Sequence, residues 1–236
     1  MKHWKKNLFI KFPLALVALS VLWVALLKYV PVFFTPLMVK RAVEYREDKD
    51  FHTSHRWVPI EKISTNLIKA SIASEDNRFV EHNGFDTKEL EKMYRQHVKT
   101  GKKLRGCSTI SQQTAKNVFT FCSDTWVRKG VEAYYTFLIE KIWGKERIME
   151  VYLNVIEMGK GIYGAEAAAQ HFYNRPASRL TVSQSARIVA CYPNPIKRRP
   201  TNVTRYLSTR ERQITSLMPK LAYPDWVYHK KDKKEK

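Results

Sequence analysis

The segment that most constrains this chain is residues 12–27. It carries no charged side chain, is bracketed by Lys11 and Lys28, and is preceded by Lys2, His3, Lys5 and Lys6. A helix with no polar face must bury its surface in protein or in lipid. The run falls a little short of the ~20 residues that span a bilayer, and snorkelling of Lys11 and Lys28 restores the length. Trp23 and Tyr29 stand where interfacial anchors are found. Apolar residues continue through Tyr29-Val30-Pro31-Val32-Phe33-Phe34, well past Ala18-Leu19-Ser20, a loose small-x-small cleavage pattern. The segment 12–34 is therefore read as an uncleaved transmembrane signal anchor. The lysines of the 1–11 tail put the amino terminus in the cytoplasm and the remainder outside.

The rest of the 236 residues suffices for one domain with a full core. A connector is expected over 35–56, a folded domain over 57–219 and a charged, disordered tail over 220–236. Lys and Arg total 42 against 22 Asp and Glu, a net charge of +20. That excess calls for an anionic partner: nucleic acid, anionic lipid or a phosphorylated substrate. No C-x-x-C occurs, which argues against a zinc site. Cys107, Cys122 and Cys191 are too dispersed for a disulfide framework and read as small, buried thiols rather than as a Cys107–Cys122 bridge.

Periodicity predicts helices over 61–74, 87–99, 126–143, 146–156, 165–173, 180–190 and 201–217. No convincing set of alternating strands appears, so the class is mainly α, with at most one short hairpin that the pattern does not locate. Leu90, Tyr94 and Val98 share one helical face. Val127, Val131, Tyr135, Leu138 and Ile142 form the expected apolar stripe of 126–143. On another face of that helix Arg128 and Glu132 stand four apart, a spacing that an ordinary surface ion pair shares. Thr109 and Gln112 make a capping box. Gly106 and Cys107 leave backbone accessible ahead of the helix it opens, a geometry suited to a phosphate with Lys116 as countercharge. Lys99-Thr100-Gly101 matches a fragment of the penicillin-binding transpeptidase signature, but no S-x-x-K accompanies it, so the match is chance.

Acids, bases and aromatics crowd into residues 74–86. Ile68, Ile72 and Phe79 recur at helical spacing, and Glu75 falls on their stripe. A carboxylate on a buried face must be paired, or must have its pKa raised for proton transfer. Taken alone, a buried ion pair with a Lys or Arg is the plainer reading of Glu75.

Together these segments resemble the peptidoglycan glycosyltransferase family. Its pattern E-D-x-x-F-x-x-H-x-G-[FI]-D is matched by Glu75, Asp76, Phe79, His82, Gly84, Phe85 and Asp86. G-[GA]-S-T-I-[ST]-Q-Q-x-x-K-N is matched by Gly106, Ser108, Thr109, Ile110, Ser111, Gln112, Gln113, Lys116 and Asn117. Arg128, Lys129 and Glu132 supply R-K-x-x-E. Residues 148–154 supply I-[LM]-E-x-Y-L-N, followed by Gly159 or Gly161 with Tyr163 and Gly164. Four ordered motifs over 57–200 are far more specific than any one. The chain departs at Cys107, where the family has Gly or Ala, and at Asp124, near where many relatives carry an Arg that contacts pyrophosphate. Gln184 stands where relatives often have Glu.

The resemblance implies a lysozyme-like, two-lobed helical glycosyltransferase domain preceded by one transmembrane helix, of the monofunctional type. It implies polymerisation of lipid II into β-1,4 glycan, with inversion at the sugar carbon and loss of polyprenyl pyrophosphate. Glu75 is then the base, and Lys116, Arg128 and Lys129 face the pyrophosphate. Ser108, Gln112 and Asn117 line the site. Glu132 is the second carboxylate, which holds a divalent cation (Mg2+ or Mn2+) or positions the donor phosphates. Asp76 and His82 orient Glu75 or stabilise the turn. The implied setting is the bacterial inner membrane, with the catalytic domain periplasmic. The implied partners are lipid II, the growing strand, membrane lipid and other cell-wall synthesis or division proteins, and no nucleic acid. A lysozyme-like hydrolase using Glu75 as acid and a non-enzymatic basic membrane module are the alternatives.

Overall fold

The computed structural model describes residues 2–101, 108–121 and 125–228, with side chains from Lys11 onward. The readings of Gly106, Cys107, Cys122, Asp124 and the end of the charged tail lie outside the described residues. The described chain is mainly helical, as its periodicity predicts.

The first helix, α1 (Lys2–Leu27), stops short of the expected 12–34 span. Residues 31–35 belong to no helix or strand, and α2 (Pro36–Glu44) starts behind the N-cap Thr35, whose backbone is extended. Pro31 and the competing partners of the last α1 carbonyls end the helix. Arg147 donates to Leu27 O at 2.8 Å and to Val30 O at 2.6 Å. Among the described residues no helix is long and apolar enough to cross a membrane, which corrects the expectation of a transmembrane helix over 12–34. The uncharged run is shorter than a full span, and its apolar continuation leaves the helix at Leu27.

A small sheet follows from β1 (Ser54–His55), which pairs in parallel with β3 (Ile162–Tyr163). β3 also pairs antiparallel with β2 (Glu157–Gly159), so the hairpin that the sequence does not locate lies at the glycine-rich turn. Gly164, with φ at +81°, closes this turn against the backbone of Asn154, where a Cβ has no room. The Asn154 side chain accepts from Val58 N–H and donates to Val58 O, both at 2.9 Å, imitating a strand pair.

The core is built from α3 (Thr65–Glu75), α5 (Ile110–Phe119), α6 (Trp126–Ile142), α7 (Lys145–Val155), α8 (Ala165–Tyr173), α9 (Val182–Cys191) and α10 (Arg205–Leu217). α9 packs between α3 and α10, while α5 packs against both α6 and α7. α7 is buried along nearly its whole length, because Ile148, Met149, Val151, Tyr152, Leu153 and Val155 leave it no apolar face to expose. α8 follows the sequence reading to the residue. Its Ala167, Ala168 and Ala169 allow close packing.

Two faces differ from expectation. α4 (Thr87–Thr100) buries none of its residues, so Leu90, Tyr94 and Val98 form an exposed apolar stripe. The first half of the α6 stripe is also exposed, with Val127 open to solvent. The face of that half turned inward carries Glu132 and Thr136.

Candidate active site

Glu75 is the last residue of α3, and Ser64 caps the other end of that helix. The neighbours Ile68, Ile72 and Phe79 are buried around it. No Lys or Arg among the described residues salt-bridges Glu75. Ser74 Oγ donates to its Oε1 at 3.0 Å, and Gln113 Nε2 donates to its Oε2 at 3.2 Å. Burial raises its carboxyl above the ordinary glutamate range. The Gln113 and Ser74 hydrogen bonds and the charge of Arg210 pull it part of the way back. A half-hidden carboxylate held by neutral donors suits a base better than a structural ion pair does.

The next residue works differently. Asp76 accepts from His82 Nε2 at 2.9 and 3.1 Å and from Ile110 N–H at 3.1 Å. It thereby ties the turn after α3 to the first free N–H of α5. Thr109 Oγ1 donates to Gly84 O at 2.6 Å, a second tie between the same two motifs. Gly84 has φ at +88°, and a Cβ there meets Thr136 Cγ2 at 2.8 Å and Glu140 Cγ at 3.0 Å, so α6 lies directly against the turn.

The capping box that opens α5 decides which glutamine reaches the base. Gln112 Oε1 accepts from Thr109 N–H at 3.0 Å, so the side chain expected to line the site closes the cap. Gln113, the next residue, points the other way, to Glu75. Its amide is oriented by Tyr152, whose hydroxyl donates to Gln113 Oε1 at 3.3 Å. Burial raises the Tyr152 phenol well above its usual range, with Glu75 adding to the effect, so it remains a neutral donor. Ser108 contributes its carbonyl oxygen to Gln113 Nε2 at 3.4 Å. Lys116 is exposed, with no ion-pair partner among the described residues, and Asn117 is half-buried beside it.

A second cluster lies on α6. Glu132 is 2% exposed and accepts from Arg128 Nη1 at 2.6 Å and from Lys129 Nζ at 3.0 Å. The spacing that fits a surface pair thus belongs to a buried carboxylate with two cations. Trp126 at 92% exposure and Val127 are exposed apolar side chains at the start of the helix that carries those cations. Glu75 and Glu132 share no contact among the described residues. α5 joins them: Gln113 holds Glu75, and Ser111 Oγ donates to Glu140 of α6 at 2.5 Å. Glu140 also takes Lys145 Nζ at 2.6 Å, and that ammonium lies 4.5 Å from the Phe79 ring centroid.

A divalent ion does not fit Glu132 as it stands, because both oxygens already face cations that repel further positive charge. Asp76, His82 and Asp86 lie within 4.8 Å of one another. Their oxygens are engaged by His82, by Ile110 N–H and by Arg78, whose Nη1 sits 3.0 Å from Asp86 Oδ1. Gln184 is a capping residue, accepting from Thr181 N–H at 3.1 Å.

Sequence reasoning missed Gln113, Tyr152, Ser74 and Arg210 as neighbours of the base. Gln113 and Tyr152 stand inside the quoted motifs, and only the phase of each helix separates them from the residues that were chosen. Arg210 stands outside every motif.

A half-buried carboxylate held by neutral donors and a cationic cluster on a neighbouring helix are the pieces that a group transfer with an anionic leaving group requires. The model of the transglycosylase family matches residues 41–219. The chain is 52% identical to the biosynthetic peptidoglycan transglycosylase of Bacteroides thetaiotaomicron, over 92% of this chain and 86% of that protein. It is 50% identical to the protein of the same name from Caulobacter vibrioides, over 89% of each. A third such protein, from Bdellovibrio bacteriovorus, is 50% identical over 81% of this chain and 77% of its own. The chain belongs to the transglycosylase family.

Proposed function

We propose that this chain polymerises lipid II into β-1,4 glycan strands, with Glu75 as the base. It is a peptidoglycan glycosyltransferase of cell-wall synthesis. The reaction joins an acceptor 4-hydroxyl to the anomeric carbon of the donor sugar. The hydroxyl proton passes to the Glu75 carboxylate as the new O–C bond forms. The old bond from the sugar to phosphate breaks on the opposite face, and the electron pair leaves with polyprenyl pyrophosphate. An α-linked donor thus yields a β link in a single displacement. This step needs a base on one side and fixed positive charge on the other. The observation that carries the reading is the division of labour across α5. Gln113 of α5 holds Glu75 among neutral donors, and α6, which packs on α5, carries the cationic cluster of Arg128 and Lys129. Lys116, exposed on α5 itself, adds a third charge for the leaving group. No step runs through a divalent ion.

The exposed apolar side chains of Trp126 and Val127, which precede Arg128 on α6, suit a polyprenyl tail that lies in lipid while its pyrophosphate meets Arg128. α1 serves as the tether. Its Phe12, Leu14, Leu19, Leu22 and Leu26 are exposed along the described part of the helix and offer lipid an apolar face. The catalytic domain then faces the periplasm from the inner membrane. A lysozyme-like, two-lobed domain fits the separate packing of α3 with α9 and α10 and of α5 with α6 and α7.

The test is incubation of the full chain in liposomes with labelled lipid II and, separately, with finished sacculi. Growth of long glycan from lipid II is the expected result. Release of soluble muropeptides from sacculi, without chain growth, would favour the hydrolase. The Glu75→Gln protein is expected to lose about 10²–10⁴-fold in polymerisation rate.

A further inference from the structure

Arg210 lies on α10, in a part of the chain that none of the four motifs quoted above covers. Its Nη2 donates to Ser74 Oγ at 3.1 Å, and its Nη1 donates to Gln213 Oε1 at 2.9 Å. Ser74 Oγ in turn donates to Glu75 Oε1. The direction of this relay is forced. A guanidinium has donors only, so the serine oxygen must accept from it, and the single hydroxyl hydrogen is left for Glu75. The other carboxylate oxygen is held in a matching way, by Gln113 backed by Tyr152. Each oxygen of Glu75 therefore has one direct donor, and each donor is held in turn: Ser74 by Arg210, and Gln113 by Tyr152 and the Ser108 carbonyl.

Arg210 has no carboxylate partner among the described residues. Its neighbour Glu211 is turned away, to Arg187 at 2.7 Å and Ser183 at 2.5 Å. We propose that Arg210 is a positioning residue of the transfer reaction, which aims the Ser74 hydroxyl at Glu75 Oε1 and fixes that oxygen for proton transfer. The proposal rests on the reading of Glu75 as the base.

The charges around Glu75 agree with this role. Burial raises its carboxyl, and the groups that lower it are Gln113, Ser74 and Arg210, while Asp76 raises it further. Tyr152 of α7 and Tyr192 at the end of α9 also face it. Burial pushes both phenols up, so neither brings a charge at working pH. Asp76 is itself occupied by His82 and Ile110 N–H. Arg210 is thus the cation that acts on the base, through one hydroxyl. Without it the carboxyl pKa rises, and the ionised base is lost at a higher pH on acidification.

The experiment is the pH dependence of lipid II polymerisation by the full chain in liposomes, for wild type, Arg210→Gln, Arg210→Lys and Ser74→Ala, with thermal unfolding as the control for folding. In Arg210→Gln and Ser74→Ala the acid limb of the rate profile is expected to move up by about half to one pH unit, with KM for lipid II little changed. Arg210→Lys restores most of the shift because it keeps the charge. An acid limb that stays in place in folded Arg210→Gln and Ser74→Ala overturns the proposal. So does a raised KM with an unmoved limb, which makes Arg210 a substrate contact. If Arg210→Gln does not fold, Ser74→Ala decides from the other end of the relay. Glu75→Gln separates the two levels. Activity near wild type in that variant removes the base and the proposal together, whereas an inactive Glu75→Gln with unmoved limbs removes the role of Arg210 alone.

Discussion

α4 and α6 each carry an Arg–Glu pair four residues apart, and the two pairs close to nearly the same distance. Glu91 and Arg95 meet at 2.5 Å, and Arg128 and Glu132 at 2.6 Å. Their surroundings are opposite. The α4 side chains are 60% and 76% exposed, while Glu132 is 2% and Arg128 11% exposed. Their order along the helix is opposite as well. Glu before the cation is the arrangement that supports an isolated helix, and α6 has the reverse. The α6 pair therefore does not serve the helix. It holds two cations where α5 packs and where the apolar side chains of Trp126 and Val127 face outward. Spacing alone reads the two pairs as equals; burial separates them.

The comparison breaks most sharply at Arg128. Removing it strands a buried carboxylate with only the half-exposed Lys129 for compensation. Arg128→Ala is expected to destabilise the folded chain by about 3 kcal/mol, read by denaturant unfolding, and to abolish most polymerisation. Adding Glu132→Gln to it should recover most of the stability and none of the activity, because it removes the stranded charge without restoring a cation. Equal stability of Arg128→Ala and wild type would put the α6 pair in the same class as the α4 pair.

Gly84→Ala comes next. It forces a Cβ into Thr136 and Glu140 of α6 at a positive φ, with an expected cost of about 2 kcal/mol. The loss should be seen in the unfolding midpoint, and it tests whether α6 is seated against the turn that follows Glu75. Tyr152→Phe is smaller still. It frees the Gln113 amide while leaving the core packed. Polymerisation is expected to fall about tenfold, with stability changed by about 1 kcal/mol.

These residues also mark what the sequence made legible. The capping box of α5, the small-residue helix α8 and the helix carrying Glu75 follow from local chemistry, namely a Thr three residues before a Gln, successive alanines and an apolar stripe. What stayed hidden depends on which helix packs on which. Val127 and Val131 continue the stripe of Leu138, yet half of that stripe is exposed, because α5 meets α6 on the face of Glu132 and Thr136. Gln112 and Gln113 are adjacent and alike in chemistry, and one helical step sends the first to the cap and the second to the base. Arg210 is separated from Ser74 by 136 positions, so only the packing of α10 on α3 makes them neighbours. The local rules give the elements, and long-range packing assigns the roles.

The smallest effect belongs to α4. Arg95→Ala removes a contact as short as the one in α6, so any rule based on distance alone expects an equal loss. The physical expectation is a change within about 0.5 kcal/mol, because both side chains are solvated and must give up conformational freedom to hold the contact. What little the pair contributes should shrink further as salt is raised past the ~8 Å screening length of physiological buffer. The buried α6 pair should respond far less to the same salt. Unfolding of Arg95→Ala and Arg128→Ala at low and high ionic strength therefore measures the difference in surroundings directly. Near-zero loss in the first, at either salt, sharpens the contrast, whereas a large salt-dependent loss in both would show that solvent screens α6 as it does α4.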